Sequence, residues 1–511
     1  MSKIRIIGRN ITCLAANRVV IMLVAFFLFP FVVGRLGKEA YGIYAIVMTI
    51  TGYFGLFDMG VASALTKYVA EYKGKNDELM INKIINVSFF FYLIVGIIVF
   101  AGLFFCSAYG DRFFKIIPEN CATVKTLFLV ASVFSFFIWP LNTFRGVMQG
   151  MHLWDRDAAI NTIVQVLNAA GTVILLSGGY GVISLLMLSQ SLMLLGGIAT
   201  WMVVRRHMKI RLGLSYLDVK TFRKIFGFSI FVFAGSVVNI FLFQVHNIII
   251  GHFMALSAVA VYAVCNNIQN IFRAINSSIG SPPWTMASEM EGRGDSEGQK
   301  NILLKGTKFM TAFFVPIVII MFFFAEPFIV NWVGIQFLDS IMPTRILILF
   351  WLFNGTLEIA SSILRAKGIV RKPLYVIITV GMVNVLIGTM FIEKLGLIAI
   401  ALGLSFSMIF INFPFILRMS LESLNLSFGE YFRKAIKSNL KFYVMPAALS
   451  GLCLRYSYPR NLFFTLTEMA AVYFVCIVLY YFLILNSEEK RDIARLAGLS
   501  FYERKNKSIT A

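Results

Sequence analysis

Runs of about twenty consecutive apolar residues recur along this chain from end to end. At ~1.5 Å per residue, a helix of that length crosses the hydrocarbon core of a bilayer. No soluble core can hide so many of them, because surface-to-volume scaling leaves much of the apolar surface facing the solvent. The composition agrees: 59% of the 511 residues are hydrophobic and 14% are charged, against roughly 45–50% and 25% in soluble domains. The mean hydropathy is +0.81. In lipid every backbone polar group must be satisfied internally, which leaves helices or a closed barrel. Strict alternation over about ten residues is absent, so an outer-membrane barrel is excluded. The fold class is an all-α polytopic membrane protein.

The hydrophobic runs predict about fourteen spans, near 9–34, 41–66, 84–108, 125–146, 157–178, 181–204, 226–251, 255–280, 305–325, 343–366, 373–393, 395–418, 439–458 and 462–485. Short links such as "GGYG" make neighbours antiparallel hairpins. The segment between 325 and 343 admits an interfacial reading. With the N-terminus in the cytoplasm, roughly 35 Lys and Arg fall on the cytoplasmic side against about 9 outside. Both termini are therefore expected to be cytoplasmic.

A faint echo links the start of the second span, "VVGRLGKEAYGIYAIVM", to that of the eighth, "IIGHFMALSAVAVYAVC". It divides the chain into two six-span halves: 1–208 (spans one to six) and 226–420 (spans seven to twelve). Between them, 209–225 is an amphipathic cytoplasmic connector. Two extra spans occupy 421–487, and 488–511 is a basic cytoplasmic tail. The stretches 217–228 and 488–507 space apolar residues for the headgroup layer, although a solvated helix or tail describes the second equally well.

The net charge of +21 would indicate nucleic acid in a soluble protein. Here the basic residues sit in short loops between apolar runs, where they set topology and meet anionic lipids. No nucleic-acid partner is expected. The six cysteines show no CxxC pattern and no histidine pairing, so neither a disulfide framework nor a metal site is implied. The basic, then apolar, N-terminus is long enough to be an uncleaved first span. No GxSxG, HExxH or Walker loop occurs. The chain is expected not to be an enzyme, to use no cofactor and not to drive ATP-powered pumping itself.

A charge at bilayer depth costs at least ~2.5–3.5 kcal/mol, so each one needs a reason. Five fall there: Arg18, Asp58, His246, Arg273 and Glu358. Counting ~1.5 Å per residue puts Arg18 and Asp58 roughly 12–15 Å in, with Arg273 and Glu358 near the same level. Asp58 either neutralises Arg18 or takes up an ion. On an unbroken helix, nine steps of ~100° turn Lys67 away from it. His246 reads as a satisfied buried histidine or a switch. Asp58, His246 and Glu358 are thus the candidates for ion coupling or charge pairing. In span eight, Asn266, Gln269, Asn270, Arg273 and Asn276 recur every three or four residues on one face. Helix–helix glue explains one or two such groups. Five with an arginine favour a water-filled cavity, to which Asn17 beside Arg18 adds.

The segment "RLGKEAYGIYAIVMTITGYFGLFDMGVASALTKYVAEY" resembles the second-span signature of polysaccharide flippases, bacterial members of the multidrug/oligosaccharidyl-lipid/polysaccharide exporter superfamily. The matching residues are Leu36, Gly37, Tyr41, Gly42, Asp58, Gly60 and Ala64. "NIIIGHFMALSAVAVYAVCNNI" resembles the start of that family's second lobe. The resemblance implies two six-helix lobes in a V in the bacterial inner membrane. It implies movement of an undecaprenyl-diphosphate-linked oligosaccharide for O-antigen, capsule or exopolysaccharide, with a proton or sodium ion as a coupling partner and a polysaccharide polymerase as a neighbour. Lipid II flippases of the superfamily use cavity arginines in the first and eighth spans, a role that Arg18 and Arg273 would inherit by position. O-antigen-type members often have twelve spans, so fourteen leaves the subtype open. A cation-coupled multidrug exporter, a lipid II flippase and a non-transporting polymerisation scaffold remain as alternatives.

Overall fold

The computed structural model describes residues 3–113, 118–151, 153–369, 371–483, 485 and 490; the side chains of 3–23, of 277–280 and of Asn239 are among those outside the description. The expected tail helix at 488–507 therefore falls almost wholly outside the described residues. Among the described residues every regular element is helical. In chain order they are α1 (Lys3–Tyr53), α2 (Val61–Gly74), α3 (Glu78–Phe113), α4 (Cys121–Gly150), α5 (Trp154–Ser177), α6 (Val182–His207), α7 (Val219–Phe243), α8 (Val245–Phe253) and α9 (Leu256–Gly292). The series continues with α10 (Ser296–Val333), α11 (Ile341–Leu349), α12 (Trp351–Ala366), α13 (Arg371–Leu395), α14 (Leu397–Ser407), α15 (Phe413–Ser423), α16 (Phe428–Tyr431), α17 (Leu440–Tyr456) and α18 (Leu462–Leu483).

Ten helical segments are long and apolar enough to cross a membrane among the described residues. This is compatible with fourteen spans. The first expected span lies mostly where side chains are not described, and α17 is only 17 residues long. The segment after 325 is helical on both sides of a short turn, Ile335–Ser340.

Helix breaks sit where the chain needs them. The first two expected spans are one helix kinked at Gly37, whose φ of 77° suits a residue without Cβ. The second span is itself interrupted: α1 ends at Tyr53, a tight turn covers Phe54–Asp58, and Met59 and Gly60 are left-handed. In the twelfth, a π-turn at Met408–Asn412 separates α14 from α15. Asn354 donates to the Met408 carbonyl at 3.3 Å and accepts from Asn412 at 2.6 Å. The Met408 carbonyl, which already accepts the wide-turn bond from the Phe413 amide, thus gains a second donor from a buried side chain.

The chain divides into two compact units, Met1–Asn267 with Asn384–Ile400, and Ile268–Val383 with Ala401–Ala511. In the first, α4 packs on α2, α3 and α6, while α5 packs on α1 and α6. Between lipid-embedded helices the drive is close packing, because lipid is as apolar as leucine. Gly146 and Gly150 form a GxxxG pair against α2: a Cβ on Gly150 would lie 2.8 Å from the Thr66 carbonyl oxygen. Gly42 is tighter still, its Cβ position falling 2.1 Å from the Leu256 carbonyl oxygen.

The expected connector is partly the first turns of α7. Asp218 caps that helix, accepting from the Thr221 hydroxyl at 2.8 Å and the Lys220 amide at 3.2 Å. These bonds, the hydroxyl's foremost, hold its carboxyl below the usual range. Lys224 donates to the Tyr72 hydroxyl at 2.6 Å and lies over the Tyr68 and Tyr72 rings. That bond raises its pKa and keeps it charged.

In the second unit α10 is central, packed by α12, α17 and α18. Phe324 and Cys476 are fully buried in that core. Asn439 ties it together, donating to the Lys308 carbonyl and accepting from Tyr480. The two extra spans therefore share the core of this unit.

Candidate functional site

The polar face of α9 is graded across its width. Steps of 100° place Gln269 and Asn276 on one margin, Asn270 on the other, and Arg273 and Asn266 between them. Burial follows this order. Gln269 is 4% exposed and its Oε1 accepts from the Trp351 indole at 2.7 Å. Gln269 is thus glue between α9 and α12, while Asn270 is exposed and Asn266, Arg273 and Asn276 are half-buried. Behind it, Phe272, Phe314 and Trp351 stack. Among the described residues, the Asn276 side-chain oxygen and the Gln269 amide nitrogen are buried with no hydrogen-bond partner. Polar groups in this state call for water or a ligand.

Arg18 and Asn17 lie on α1, but their side chains are outside the described residues. Their pairing with Asp58 is therefore not part of the described structure. Among the described residues Asp58 has three donors. Its carboxylate accepts from the Tyr92 hydroxyl in a short hydrogen bond, from the Gly60 amide at 3.1 Å and from the Ala62 amide at 3.4 Å. It closes the helix break and caps the start of α2. The unbroken-helix count from Asp58 to Lys67 does not apply across left-handed Met59 and Gly60. Lys67 lies over the Tyr68 ring.

His246 is 1% exposed and sits between two partners. The Tyr262 hydroxyl is 2.8 Å from Nδ1, and the Asn384 side chain is 3.1 Å from Nε2 through its oxygen. Asn384 also donates to the Leu242 carbonyl at 3.4 Å, next to the break between α7 and α8. With Tyr262 donating to Nδ1 and Nε2–H donating to Asn384, the chain is satisfied with a neutral imidazole. Replacing His246 by Ala takes a hydrogen-bond partner from each of the buried Tyr262 and Asn384 side chains, at about 0.5–1.5 kcal/mol per bond, and leaves a cavity. The expected result is a clearly lower melting midpoint for the detergent-solubilised protein. Tyr262→Phe should add little further destabilisation on the Ala background, because both changes break one network. Full additivity would show that the three groups are not coupled.

Glu358 is paired on its own helix. Arg365 donates to it at 2.6 Å and also to Ser362. Asp58, His246 and Glu358 thus each have their own partners.

The sequence reading missed a second polar stripe, on α5. Asp157, Asn161, Gln165, Asn168 and Thr172 share one face, with Asp157, Thr172 and the Asn168 carbonyl oxygen buried. The same spacing rule applied to α9 detects it; only Asp157 carries a charge, and it lies at the helix end. Among the described residues, no group of three His, Cys, Asp or Glu side chains is placed to hold a metal ion.

Two family models match the chain: "Polysaccharide biosynthesis protein" over residues 7–284 and "MatE" over 232–390. A comparison with curated protein sequences finds no match. Among solved structures, the lipid II flippase MurJ in an inward closed conformation is similar with a TM-score of 0.70 at 16% identity, over 92% of this chain and 98% of that one. A multidrug resistance MATE family transporter of the MOP superfamily, facing inward, is similar with a TM-score of 0.64 at 17% identity, over 81% and 99%. A MOP superfamily transporter from Pyrococcus furiosus, described by the reverse polarity of its binding pocket, gives 0.54 at 17%, over 82% and 94%. At such identities the likeness is one of fold.

Proposed function

We propose that this chain, which belongs to the polysaccharide biosynthesis protein family, is a flippase that moves an undecaprenyl-diphosphate-linked oligosaccharide across the bacterial cytoplasmic membrane. Its membership of the multidrug/oligosaccharidyl-lipid/polysaccharide exporter superfamily makes it a multi-pass flippase or transporter. The observation that carries the cargo is the polar face of α9, where half-buried Arg273 is set among amides, at bilayer depth by residue counting. A lipid tail of roughly 55 carbons, at ~0.8 kcal/mol per buried CH₂, cannot leave the bilayer. Only the head needs a polar route. Guanidinium groups suit a diphosphate bidentately, and amides suit hydroxyl-rich sugars. A drug cation would be repelled by the same arginine, which counts against the exporter reading. The structural neighbour that acts on lipid II also supports a lipid-linked cargo.

In this reading the two six-span lobes, 1–208 and 226–420, alternate access to the head-binding face, with both termini in the cytoplasm. The chain performs no covalent chemistry. The test is movement of a fluorescent undecaprenyl-diphosphate-linked oligosaccharide in vesicles reconstituted with the purified protein. Movement well above that in empty vesicles is expected. Movement no faster than in empty vesicles would leave the scaffold reading instead.

A further inference from the structure

A cavity of about 290 Å³ lies within the first unit, between α4, α5 and α6. It is lined by Asn142 and Arg145 of α4, Asp157, Asn161 and Gln165 of α5, and Thr200 of α6, with apolar walls that include Ile160 and Val164. That volume is roughly ten times the ~30 Å³ share of one water, and it borders the ~300–1,000 Å³ range of small-molecule sites. Its charges cancel internally. Arg145 pairs with Asp157 at 3.1 Å, and Gln149 donates to the other carboxylate oxygen at 2.8 Å. Neither a bare cation nor a bare anion therefore finds an uncompensated counter-charge there. The amides of Asn142, Asn161 and Gln165 make no hydrogen bonds among the described residues and open onto the space. An amide both donates and accepts, as a sugar hydroxyl does. The apolar walls suit the C–H faces of a pyranose ring.

We infer that this cavity is a neutral-sugar subsite, which holds one hexose or N-acetylhexosamine ring of the lipid-linked head and so contributes to cargo selection. The inference rests on the flippase reading. It places sugar discrimination on α4, α5 and α6.

The test measures binding by the full-length protein in nanodiscs. The probes are undecaprenyl diphosphate alone and the same lipid carrying glucose, galactose, N-acetylglucosamine or N-acetylgalactosamine. At least one sugar-bearing lipid is expected to bind about tenfold or more tightly than the bare lipid. Asn161→Leu and Gln165→Leu should each remove most of that preference while leaving affinity for the bare lipid unchanged. Should a leucine variant fail to give a monodisperse protein, Asn161→Ser and Gln165→Ala take its place. A wild-type protein that binds these lipids with no sugar preference, or a preference that these variants leave intact, overturns the subsite alone. Failure of the wild type to bind any undecaprenyl-diphosphate lipid overturns the flippase reading and the subsite with it.

Discussion

Arg18→Ala and Arg273→Ala each abolish surface polysaccharide while the protein remains in the membrane at normal level. This is the largest effect expected of any substitution in the chain. The reasoning begins with cost. An arginine at bilayer depth is tolerated only where water, a counter-charge or a ligand meets it. Arg273 lies half-buried in the middle of a polar face with Asn266, Asn270 and Asn276, and residue counting along the sequence puts Arg18 near the same depth. A diphosphate offers oxygens for two guanidinium groups. Each charge-assisted contact is worth about 1.5–3 kcal/mol, or roughly 10–150-fold in affinity. Losing one should take the head below productive occupancy. Arg273→Lys should recover part of the function, because the charge survives and the bidentate fork does not. Immunoblots of surface glycan and of the tagged protein check this directly. Normal glycan in both alanine variants would sink the assignment of a cationic head-binding face.

The fold class was legible because lipid imposes so strong a constraint: apolar runs of spanning length leave helices as the only option once alternation is absent. The kink near Gly37 was legible too, as the short loop between two spans. Interior breaks were not. The interruption at Phe54–Gly60 lies inside a continuous apolar run, and hydropathy is blind to a left-handed residue such as Met59. The π-turn at Met408–Asn412 is braced by Asn354, more than fifty residues earlier, which donates to the Met408 carbonyl.

At the site, periodicity found the α9 stripe but treated its five members as equals. Tertiary packing separated them, giving Gln269 to Trp351 and leaving Asn270 exposed. The partners of these charged and polar groups were not read from the sequence. The bond from Arg365 to Glu358 runs along one helix, whereas Tyr92, Tyr262 and Asn384 reach Asp58 and His246 across the fold.

Asp58 supports the second large prediction, argued from its hydrogen bonds. Asp58→Ala removes the acceptor of a fully buried tyrosine hydroxyl and of two backbone amides at once. At about 1–3 kcal/mol per orphaned buried group, the sum rivals the whole stability of an ordinary domain. The expected result is loss of monodisperse protein in fluorescence-detected size-exclusion chromatography. Asp58→Asn keeps one oxygen and the side-chain shape, so it should preserve the turn, the protein level and transport. Tyr92→Phe should be mild, because the carboxylate retains its two backbone donors. The double variant Asp58→Ala with Tyr92→Phe should be less destabilised than the two single effects added together, because the phenylalanine leaves no orphaned hydroxyl. Transport by the Asp58→Asn variant separates the two roles. A carboxylate that carried a proton or sodium ion through the cycle would leave that variant folded but unable to respond to an imposed gradient. A carboxylate that holds Gly60, Ala62 and Tyr92 in place leaves gradient-driven movement of labelled lipid at the wild-type rate, which is the outcome expected here. Folded protein with gradient-insensitive transport would return Asp58 to the coupling residues.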